Sequence, residues 1–482
     1  MSELLVDAVR RGAGPRELLA CPVPESYRAV HLRRADEELF RGLPRDAKDV
    51  RESLHVGEVP MPELAPDEVL VAVMAAAVNY NTVWSALYEP VSTFRFLEQF
   101  ARRGGWAARH DRDQQVVGSD ASGVVVRVGS AVRHWKPGDR VVVNPPYIDD
   151  QDPDAQRDGM LTDSMLAWGF ETNFGAFGDF AVVRATQLVP KPPHLSWEEA
   201  ACNTLCLGTA YRMLIGERGA RIKAGDVVLI WGAAGGLGSY AVQLARQAGA
   251  IAVGVVGSDS KADLLTDLGC HAVVNRNAVG LGDDDSDPGT AWKALGSAVR
   301  RAVGEDPHVV FEHVGRATFE TSVNVVRRGG TVVTCGSSSG YRHSYDNRYL
   351  WMRLKRIIGS HGANIHEAWE ANRLLRLGMV VPALSTVYPL EQAGEATRSV
   401  QLNRHEGKVG LLVLADGEDQ GVEDRDLRER TGEDRLRLFR RHAASNPAHP
   451  HGSSGRVPGA VPATSAAAAP APVTAAAPGP DR

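Results

Sequence analysis

A glycine-rich turn in the middle of the chain has residue types and spacing that could do chemistry. The run Trp231 to Gly238 (Trp-Gly-Ala-Ala-Gly-Gly-Leu-Gly) follows an apolar stretch from Val227 and precedes a helical stretch, Ser239 to Gln247. Glycines let the backbone approach a pyrophosphate, and the helix N-terminus presents N–H groups to it. A tight connection with no ligand is the alternative, but strand, turn, helix and next strand all stand in the order that dinucleotide binding requires. The residues predicted to bind the dinucleotide are Gly232, Gly235, Gly236, Leu237 and Gly238.

The residues after the second predicted strand bear on which dinucleotide binds. NAD sites usually place an acidic residue there, which holds the ribose 2′-hydroxyl. Here Ser258, Asp259 and Lys261 follow the strand, and Arg276 follows the third predicted strand. A hydroxyl group and two cations suit a 2′-phosphate, whereas Asp259 suits NAD. We predict NADPH, with Ser258, Lys261 and Arg276 as its 2′-phosphate contacts; a solvated lysine at a helix start is the alternative for Lys261.

The sequence supports a metal site or a hydrolase site less well than a dinucleotide site. Zinc needs a converging set of Cys and His ligands, but the cysteines are scattered along the chain, at Cys21, Cys202, Cys206, Cys270 and Cys335. We predict no metal. The segment Gly336 to Gly340 matches the G-x-S-x-G nucleophile elbow and follows a predicted strand. Because it lies late in the nucleotide-binding region, where such strand ends commonly lie beside a nicotinamide, we predict that Gly336 contacts the cofactor.

A basic segment with interleaved aromatic residues contains Arg348, Tyr349, Arg353 and Lys355. A solvated helix face is the simpler interpretation. The functional interpretation is that these residues bind the phosphates of a large nucleotide-like substrate such as coenzyme A. We therefore treat the four residues as candidate substrate-binding residues.

The composition limits the elements that can position these residues. The chain has 482 residues, of which 43% are hydrophobic and 23% charged, as in globular proteins of two or three domains. A net charge of −5 gives no sign of nucleic acid or an anionic membrane as the main partner. The uncharged run from Val227 to Ala245 contains four glycines and therefore favours strand, turn and helix over a membrane span. With no secretory signal visible, we predict a cytoplasmic protein with no nucleic-acid or membrane partner.

Two patterns of predicted elements follow each other along the chain. Short β segments with turn signals, such as Val69–Val73, Val124–Val126 and Arg140–Val143, indicate an all-β half. From Gly225 onward strands alternate with helices, as in a doubly wound parallel sheet. Its predicted strands are Val227–Trp231, Ile251–Gly257, His271–Asn275, His308–Glu312 and Thr331–Cys335. A last strand from Lys408 is predicted to return to the β domain.

The resulting domain prediction has five parts. Residues 1–50 form an N-terminal helical extension, 51–215 the first part of the catalytic β domain, 216–375 the nucleotide-binding domain, and 376–415 the return to the catalytic domain. Residues 416–482 form a C-terminal extension. From about residue 446 it consists largely of Ala, Pro, Gly and Ser and is predicted to be disordered.

Several longer strings resemble one protein family. They are Val78–Trp84, Glu89–Phe94, Trp168–Gly175 and Tyr345–Trp351, the last continued by Ile357–His361. These strings are similar to the crotonyl-CoA carboxylase/reductases, a zinc-free branch of the medium-chain dehydrogenase/reductases, and the similarity runs from about residue 24 to about 415. The resemblance implies an α/β fold with a GroES-like β domain, a doubly wound Rossmann domain that binds NADPH, and a homo-oligomer, either a dimer or a tetramer.

The resemblance also implies a reaction and the residues that perform it. NADPH delivers hydride to C3 of a 2-enoyl-CoA, and the enolate carbon attacks CO2 to give an alkylmalonyl-CoA. The residues that match the family's CO2 site are Asn81, Phe170, Glu171 and His361. The Asn81 amide and the Phe170 backbone N–H would donate to CO2, and Glu171 and His361 would hold an ordered water. Enoyl-CoA or quinone reduction without carboxylation and a non-catalytic NADPH-binding protein remain alternatives.

Three departures from the family pattern concern the substrate. Gly362 stands where crotonyl-preferring members usually carry Phe, the segment 163–167 differs from the family's, and Val314 replaces a Pro. Loss of a phenyl side chain opens volume beside His361. We therefore predict that Gly362 lies in the substrate site and that the pocket accepts 2-enoyl chains longer or more branched than crotonyl.

Overall fold

The computed structural model describes residues 2–281 and 288–445. The predicted disorder from about residue 446 lies outside these residues. Among the helices of the described ranges, none is long and apolar enough to cross a membrane.

The secondary structure of the described residues comprises strands β1–β18 and α-helices α1–α17. The strands are β1 (Ser26–Arg33), β2 (His55–Pro60), β3 (Glu68–Ala77), β4 (Gln114–Val116), β5 (Ala121–Val128), β6 (Arg140–Val143), β7 (Pro146–Tyr147), β8 (Leu166–Ala167), β9 (Phe180–Arg184), β10 (Leu188–Pro190), β11 (Val227–Ile230), β12 (Ile251–Val256), β13 (Ala272–Asn275), β14 (Val309–Glu312), β15 (Thr331–Thr334), β16 (Arg356–Gly359), β17 (Leu384–Pro389) and β18 (Lys408–Leu412). The helices are α1 (Ser2–Arg10), α2 (Pro15–Ala20), α3 (Tyr80–Leu87), α4 (Thr93–Ala101), α5 (Ala155–Asp158), α6 (Trp197–Ala201), α7 (Thr204–Leu214), α8 (Gly236–Gln247), α9 (Ala262–Leu268), α10 (Pro288–Val303), α11 (Phe319–Val325), α12 (Asn347–Trp351), α13 (Ile365–Arg376), α14 (Ala393–Gln401), α15 (Arg425–Thr431), α16 (Glu433–Leu436) and α17 (Leu438–Ser445).

The β domain is organised around β3. All ten residues of this strand are buried, because it pairs with β5 and β9 and, through its C-terminal end, with β18. The larger sheet has the order β10-β6-β5-β3-β18-β17. The pairing of β18 with β3 shows that the chain returns to this domain near Lys408, as its apolar pattern predicts.

The nucleotide-binding domain has a six-stranded parallel sheet in the order β13-β12-β11-β14-β15-β16. After β11 the chain adds strands on one side, and at β14 it crosses to the other side, so the order reverses between β11 and β14. In doubly wound folds the ligand binds at this reversal, beyond the C-terminal ends of the strands. The five predicted strands are confirmed. The sixth, β16, is absent from the prediction because this edge strand is only partly buried and has no apolar pattern.

The N-terminal fifty residues differ from the predicted helical extension. Helices α1 and α2 lie there, but residues 26–33 form β1, which pairs with β2 and β4. The reason is that Ala29, Val30 and Leu32 bury their side chains in the β-domain core. The domain boundaries themselves stay predictions.

The described part of the C-terminal extension, residues 416–445, is attached to the β domain by ion pairs. Arg428 donates to both carboxylate oxygens of Glu199, at 2.7 and 3.1 Å. Arg440 pairs with Glu198 at 3.0 Å. Both glutamates are buried in α6, and a buried carboxylate needs a charged or hydrogen-bonding partner. The helices of this extension therefore supply the cationic partners of the buried carboxylates of α6.

Candidate active site

A cleft of about 820 Å³ lies between the β domain and the nucleotide-binding domain, beyond the ends of β11, β14 and β15. It collects residues from segments far apart in the sequence. The predicted site residues that line it are Asn81, Phe170, Gly232, Gly235, Gly236, Leu237, Ser258, Lys261, Arg276, Gly336, His361 and Gly362. Glu171 and Gly238 are not part of the lining.

The glycine turn has a geometry that larger residues would disrupt. Gly232 has a φ of +55°, and a Cβ on Gly238 would collide with the Gly232 carbonyl oxygen. Gly238 therefore packs the turn against the helix, while Gly235 and Gly236 open α8 toward the cleft. The N–H of Gly407, just before β18, donates to the Ala234 carbonyl at 2.8 Å and ties the turn to the β domain. The turn thus offers a fixed backbone surface to a pyrophosphate.

Ser258, Lys261 and Arg276 line the same part of the cleft, just after the ends of β12 and β13. Burial lowers the pKa of Lys261, the Glu406 carboxylate opposes this shift, and the Arg276 guanidinium adds to it. Two cations this close repel each other, so a bound anion would stabilise both. Asp259, the residue that suits NAD, accepts a hydrogen bond from Asn275 Nδ2 at 2.8 Å and is absent from the cleft lining. The residues present fit the 2′-phosphate of NADPH.

Asn81 lies at the start of α3 and faces the cleft. Its Nδ2 donates to Ser119 Oγ at 2.8 Å. Its Oδ1 is buried and has no hydrogen-bond partner among the described residues. The amide nitrogen has two hydrogens, and the contact with Ser119 uses one of them, so the other is available to a ligand. The role of Asn81 in CO2 binding stays a prediction.

The turn after Trp168 presents Phe170 and Glu171. The Phe170 N–H, predicted to donate to CO2, donates to the Ala167 carbonyl at 3.2 Å, so a ligand would have to replace this bond. The Phe170 ring packs on Phe96 with 5.8 Å between the ring centres. Glu171 Oε2 accepts from the Ala167 N–H at 2.8 Å. The roles of both residues in CO2 binding stay predictions.

His361 lies opposite this turn, in the loop after β16. The residue is exposed, and it lines the cleft. Burial lowers the pKa of His361, Glu171 opposes the shift, and Arg212 adds to it. The imidazole is therefore neutral at neutral pH and can donate one hydrogen bond and accept another. In this state the ring can bind a water that Glu171 also contacts.

Gly362 has a φ of +52°, which an L side chain rarely adopts. The position that a Cβ would take lies 3.0 Å from Met160 Cε and 3.3 Å from Pro146 Cγ. The volume expected to be open beside Gly362 is thus shared with the flexible Met160 side chain. Met160 belongs to the excursion between β7 and β8, which the ion pair of Asp158 with Arg212, at 2.7 Å, attaches to α7.

The similarity of this sequence to known proteins shows which family it belongs to. Residues 65–193 match the family described as alcohol dehydrogenase GroES-like domain, and residues 236–377 match zinc-binding dehydrogenase. The chain is 50% identical to crotonyl-CoA reductase of Streptomyces avermitilis over 89% of its length and 97% of the relative's. It is 40% identical to crotonyl-CoA carboxylase/reductase of Cereibacter sphaeroides over 76% and 84% of the two lengths. The chain belongs to the crotonyl-CoA carboxylase/reductase family.

A solved structure of this family extends the match to three dimensions. It is the 2-octenoyl-CoA carboxylase reductase CinF in complex with NADP and 2-octenoyl-CoA. It is 57% identical to this chain, has a TM-score of 0.88, and covers 90% of this chain and 98% of its own. The predicted family, the GroES-like and Rossmann architecture and the oxidoreductase class are confirmed.

The basic segment around α12 lies outside the cleft of this family member. Arg348 is exposed and pairs with Asp346 at 2.7 Å, and Arg353 is also exposed. Tyr349 packs on the Trp292 ring. Lys355 Nζ donates to the carbonyls of residues 323 and 324, at 2.6 and 3.1 Å, so its charge caps α11. Substrate binding by these four residues stays a prediction.

The segment Gly336 to Gly340 lacks the geometry of a nucleophile elbow. The elbow needs a strand followed directly by a helix, but the next helix after β15 begins only at Asn347. Ser339 Oγ donates to the Val314 carbonyl at 2.7 Å. Within the described residues, no histidine hydrogen-bonds to Ser338, the central serine, whereas Gly336 lines the cleft.

Beneath the glycine turn lies an ion pair that the sequence interpretation missed. Lys408 Nζ lies 3.0 Å from Asp120 Oδ2 and donates to Asn79 Oδ1 at 2.5 Å. Thr204 Oγ1 donates to Asp120 Oδ1 at 2.7 Å. Burial disfavours the charge of Lys408, but the neighbouring Cys206 and Asp120 hold its pKa above the ordinary value. The pair comes from residues 288 positions apart, so no local motif marks it.

Arg45 is a second lining residue that the sequence interpretation missed. One of its N–H groups lies 3.0 Å from the Tyr80 hydroxyl and 3.0 Å from the Ser338 carbonyl oxygen. It therefore connects the two domains across the cleft. In residues 2–281 and 288–445, no three His, Cys, Asp or Glu side chains converge as a metal ion would need, and the absence of a metal stays a prediction.

Proposed function

We propose that the chain catalyses NADPH-dependent reductive carboxylation of a 2-enoyl-CoA to an alkylmalonyl-CoA. The observation that carries this proposal is that a single cleft contains the glycine turn, the cationic pair Lys261 and Arg276, and, on its other side, Asn81 and His361. The family relatives, named for crotonyl-CoA and 2-octenoyl-CoA carboxylation and reduction, support the substrate class.

Separate residues of the chain act on the enoyl thioester and on CO2. NADPH, when bound, supplies the hydride that adds to C3 of the thioester. The free N–H of Asn81 donates to one oxygen of CO2, whose carbon accepts the electron pair of enolate C2 in a new C–C bond. Neutral His361 and Glu171 hold a water that completes these contacts. The apolar wall of Phe170, Met160 and the neighbouring prolines excludes other water, so that carboxylation outruns protonation.

The alternative within the same family fold is reduction without carboxylation, in which the enolate takes a proton at C2. Products from crotonyl-CoA and NADPH, made with and without ¹³C-bicarbonate and carbonic anhydrase, distinguish the two reactions by mass. We expect labelled ethylmalonyl-CoA as the main product when label is present. Butyryl-CoA as the main product at saturating CO2 would contradict the proposal.

The acyl chain is proposed to extend toward Gly362 and Met160. Met160→Ala is expected to raise the kcat/KM ratio of 2-octenoyl-CoA to crotonyl-CoA by about tenfold, because two further buried CH₂ groups contribute about 0.8 kcal/mol each. Steady-state kinetics with both thioesters measures this ratio. We expect no change in the ratio for Met379→Ala, which alters an exposed methionine outside the cleft. A Met160→Ala enzyme with an unchanged ratio would contradict this placement of the chain. Gly362→Phe is a poorer test, since its φ of +52° would strain a phenylalanine.

A homo-oligomer, dimer or tetramer, is proposed from an exposed apolar patch. Trp351, Met352 and Leu354 are each more than half exposed, next to the edge strand β16. An unpaired edge beside apolar side chains is a typical surface for a second copy. Light scattering of the purified protein measures the assembly, and a monomer at micromolar concentration would contradict it. The cytoplasmic location stays a prediction.

A further inference from the structure

The hydroxyl of Ser119 lies between the two segments that face CO2 in the proposed function. Ser119 follows β4, is 1% exposed, and has two hydrogen-bond contacts. Its Oγ accepts from Asn81 Nδ2 at 2.8 Å and donates to the Trp168 carbonyl at 2.7 Å. One hydroxyl thus joins Asn81 of α3 to the turn that carries Phe170.

This arrangement determines which end of the Asn81 amide points to Ser119. A hydroxyl has a single hydrogen, and Ser119 gives it to the Trp168 carbonyl, so toward Asn81 it can only accept. The amide nitrogen must therefore face Ser119. With the amide turned by 180°, Oδ1 would face the Ser119 lone pairs, and two acceptors would oppose each other. The remaining Nδ2 hydrogen is consequently held in one direction.

The Trp168 end of the contact is rigid. The Trp168 side chain is fully buried, and its indole N–H donates to the Phe174 carbonyl at 3.1 Å. Gly169 has a φ of +71°, and a Cβ there would collide with the Gly118 carbonyl oxygen, so the two backbone segments touch. The acceptor that orients Ser119 therefore cannot shift without disturbing the turn before Phe170.

From this geometry we infer that Ser119 is a positioning residue for CO2 capture, acting through Asn81. The inference rests on the proposed function. It assigns to Ser119 no contact with substrate or cofactor. Without the hydroxyl, the Asn81 amide loses the partner that selects its orientation and samples both, and the N–H meant for CO2 is present only part of the time. Hydride transfer does not depend on this N–H.

The test compares Ser119→Ala with Ser122→Ala. Ser122 is a matched control, because it is also fully buried and its Oγ donates to a tryptophan carbonyl, that of Trp197, at 2.7 Å. Within the described ranges it forms no hydrogen bond with Asn81. Three quantities are measured for wild type and both variants with crotonyl-CoA: the rate of NADPH oxidation, the ratio of ethylmalonyl-CoA to butyryl-CoA, and the KM for CO2.

For Ser119→Ala we expect NADPH oxidation to continue, the butyryl-CoA fraction to rise several-fold, and the KM for CO2 to rise about three- to tenfold, the effect of one hydrogen bond. For Ser122→Ala we expect the wild-type product ratio and KM for CO2. An unchanged ratio in Ser119→Ala, or an equal change in both variants, would overturn the inference.

Two further measurements separate loss of the Ser119 hydroxyl from a general disturbance of the fold. Ser119→Thr retains the hydroxyl and should keep a product ratio close to that of wild type. On the Asn81→Leu background, Ser119→Thr and Ser119→Ala should give the same ratio, because a residue that acts through Asn81 has no effect once Asn81 is gone. A difference there would also overturn the inference. Wild type that makes no labelled ethylmalonyl-CoA would instead contradict the proposed function.

Discussion

The double variant Lys261→Ala/Arg276→Ala is expected to lower the preference for NADPH over NADH by about hundredfold or more. Both side chains line the cleft where β12 and β13 end, and each is proposed to contact the 2′-phosphate. A hydrogen bond to a charged group contributes roughly 1.5–3 kcal/mol, and about 1.4 kcal/mol corresponds to a factor of ten. The measurement is kcat/KM for both cofactors at saturating crotonyl-CoA.

A matched control for this prediction is Lys293→Ala, which removes an exposed lysine of the same domain outside the cleft. We expect the wild-type cofactor preference for this variant. If the unmodified enzyme used NADH and NADPH equally well, the 2′-phosphate site would be wrong, and the hydrogen bond between Asp259 and Asn275 would have to open to let Asp259 hold a ribose.

Asn81→Leu is expected to uncouple reduction from carboxylation. The variant removes the amide that faces the cleft and roughly keeps the side-chain volume, so NADPH oxidation with crotonyl-CoA should continue. The ratio of butyryl-CoA to ethylmalonyl-CoA should rise about tenfold or more, because the enolate then meets water in place of an oriented CO2. Product masses at fixed CO2 give the ratio. Glu171→Ala should change the ratio in the same direction.

The control for loss of a buried amide is Asn372→Leu. Asn372 is buried outside the cleft, and its Nδ2 donates to the Pro190 carbonyl at 2.9 Å. This change should lower the melting temperature and leave the product ratio as in wild type. If Asn81→Leu lost both products in parallel, Asn81 would be a structural residue and the CO2 assignment would be wrong.

The sequence by itself determined the elements that show a local apolar pattern. Continuous apolar runs marked β3 and the inner strands of the parallel sheet, because strands covered on both faces admit few polar residues. The glycine turn could also be predicted from the sequence, because its strand, turn and helix are adjacent in the chain. The family strings likewise pointed to Asn81, Phe170 and His361, which the fold brings to one cleft.

Other features depended on contacts between distant segments and were decided only by the tertiary structure. Strands β1 and β16 bury too little, or too irregularly, to show a pattern. Lys408 pairs with Asp120, and Met160 lies against Gly362. The partners of each contact are hundreds of positions apart in the chain, and neither partner by itself marks the contact in the sequence. The basic residues of the segment around α12 lie outside the cleft lining, because the packing of this segment, and not the spacing of its charges, sets its position.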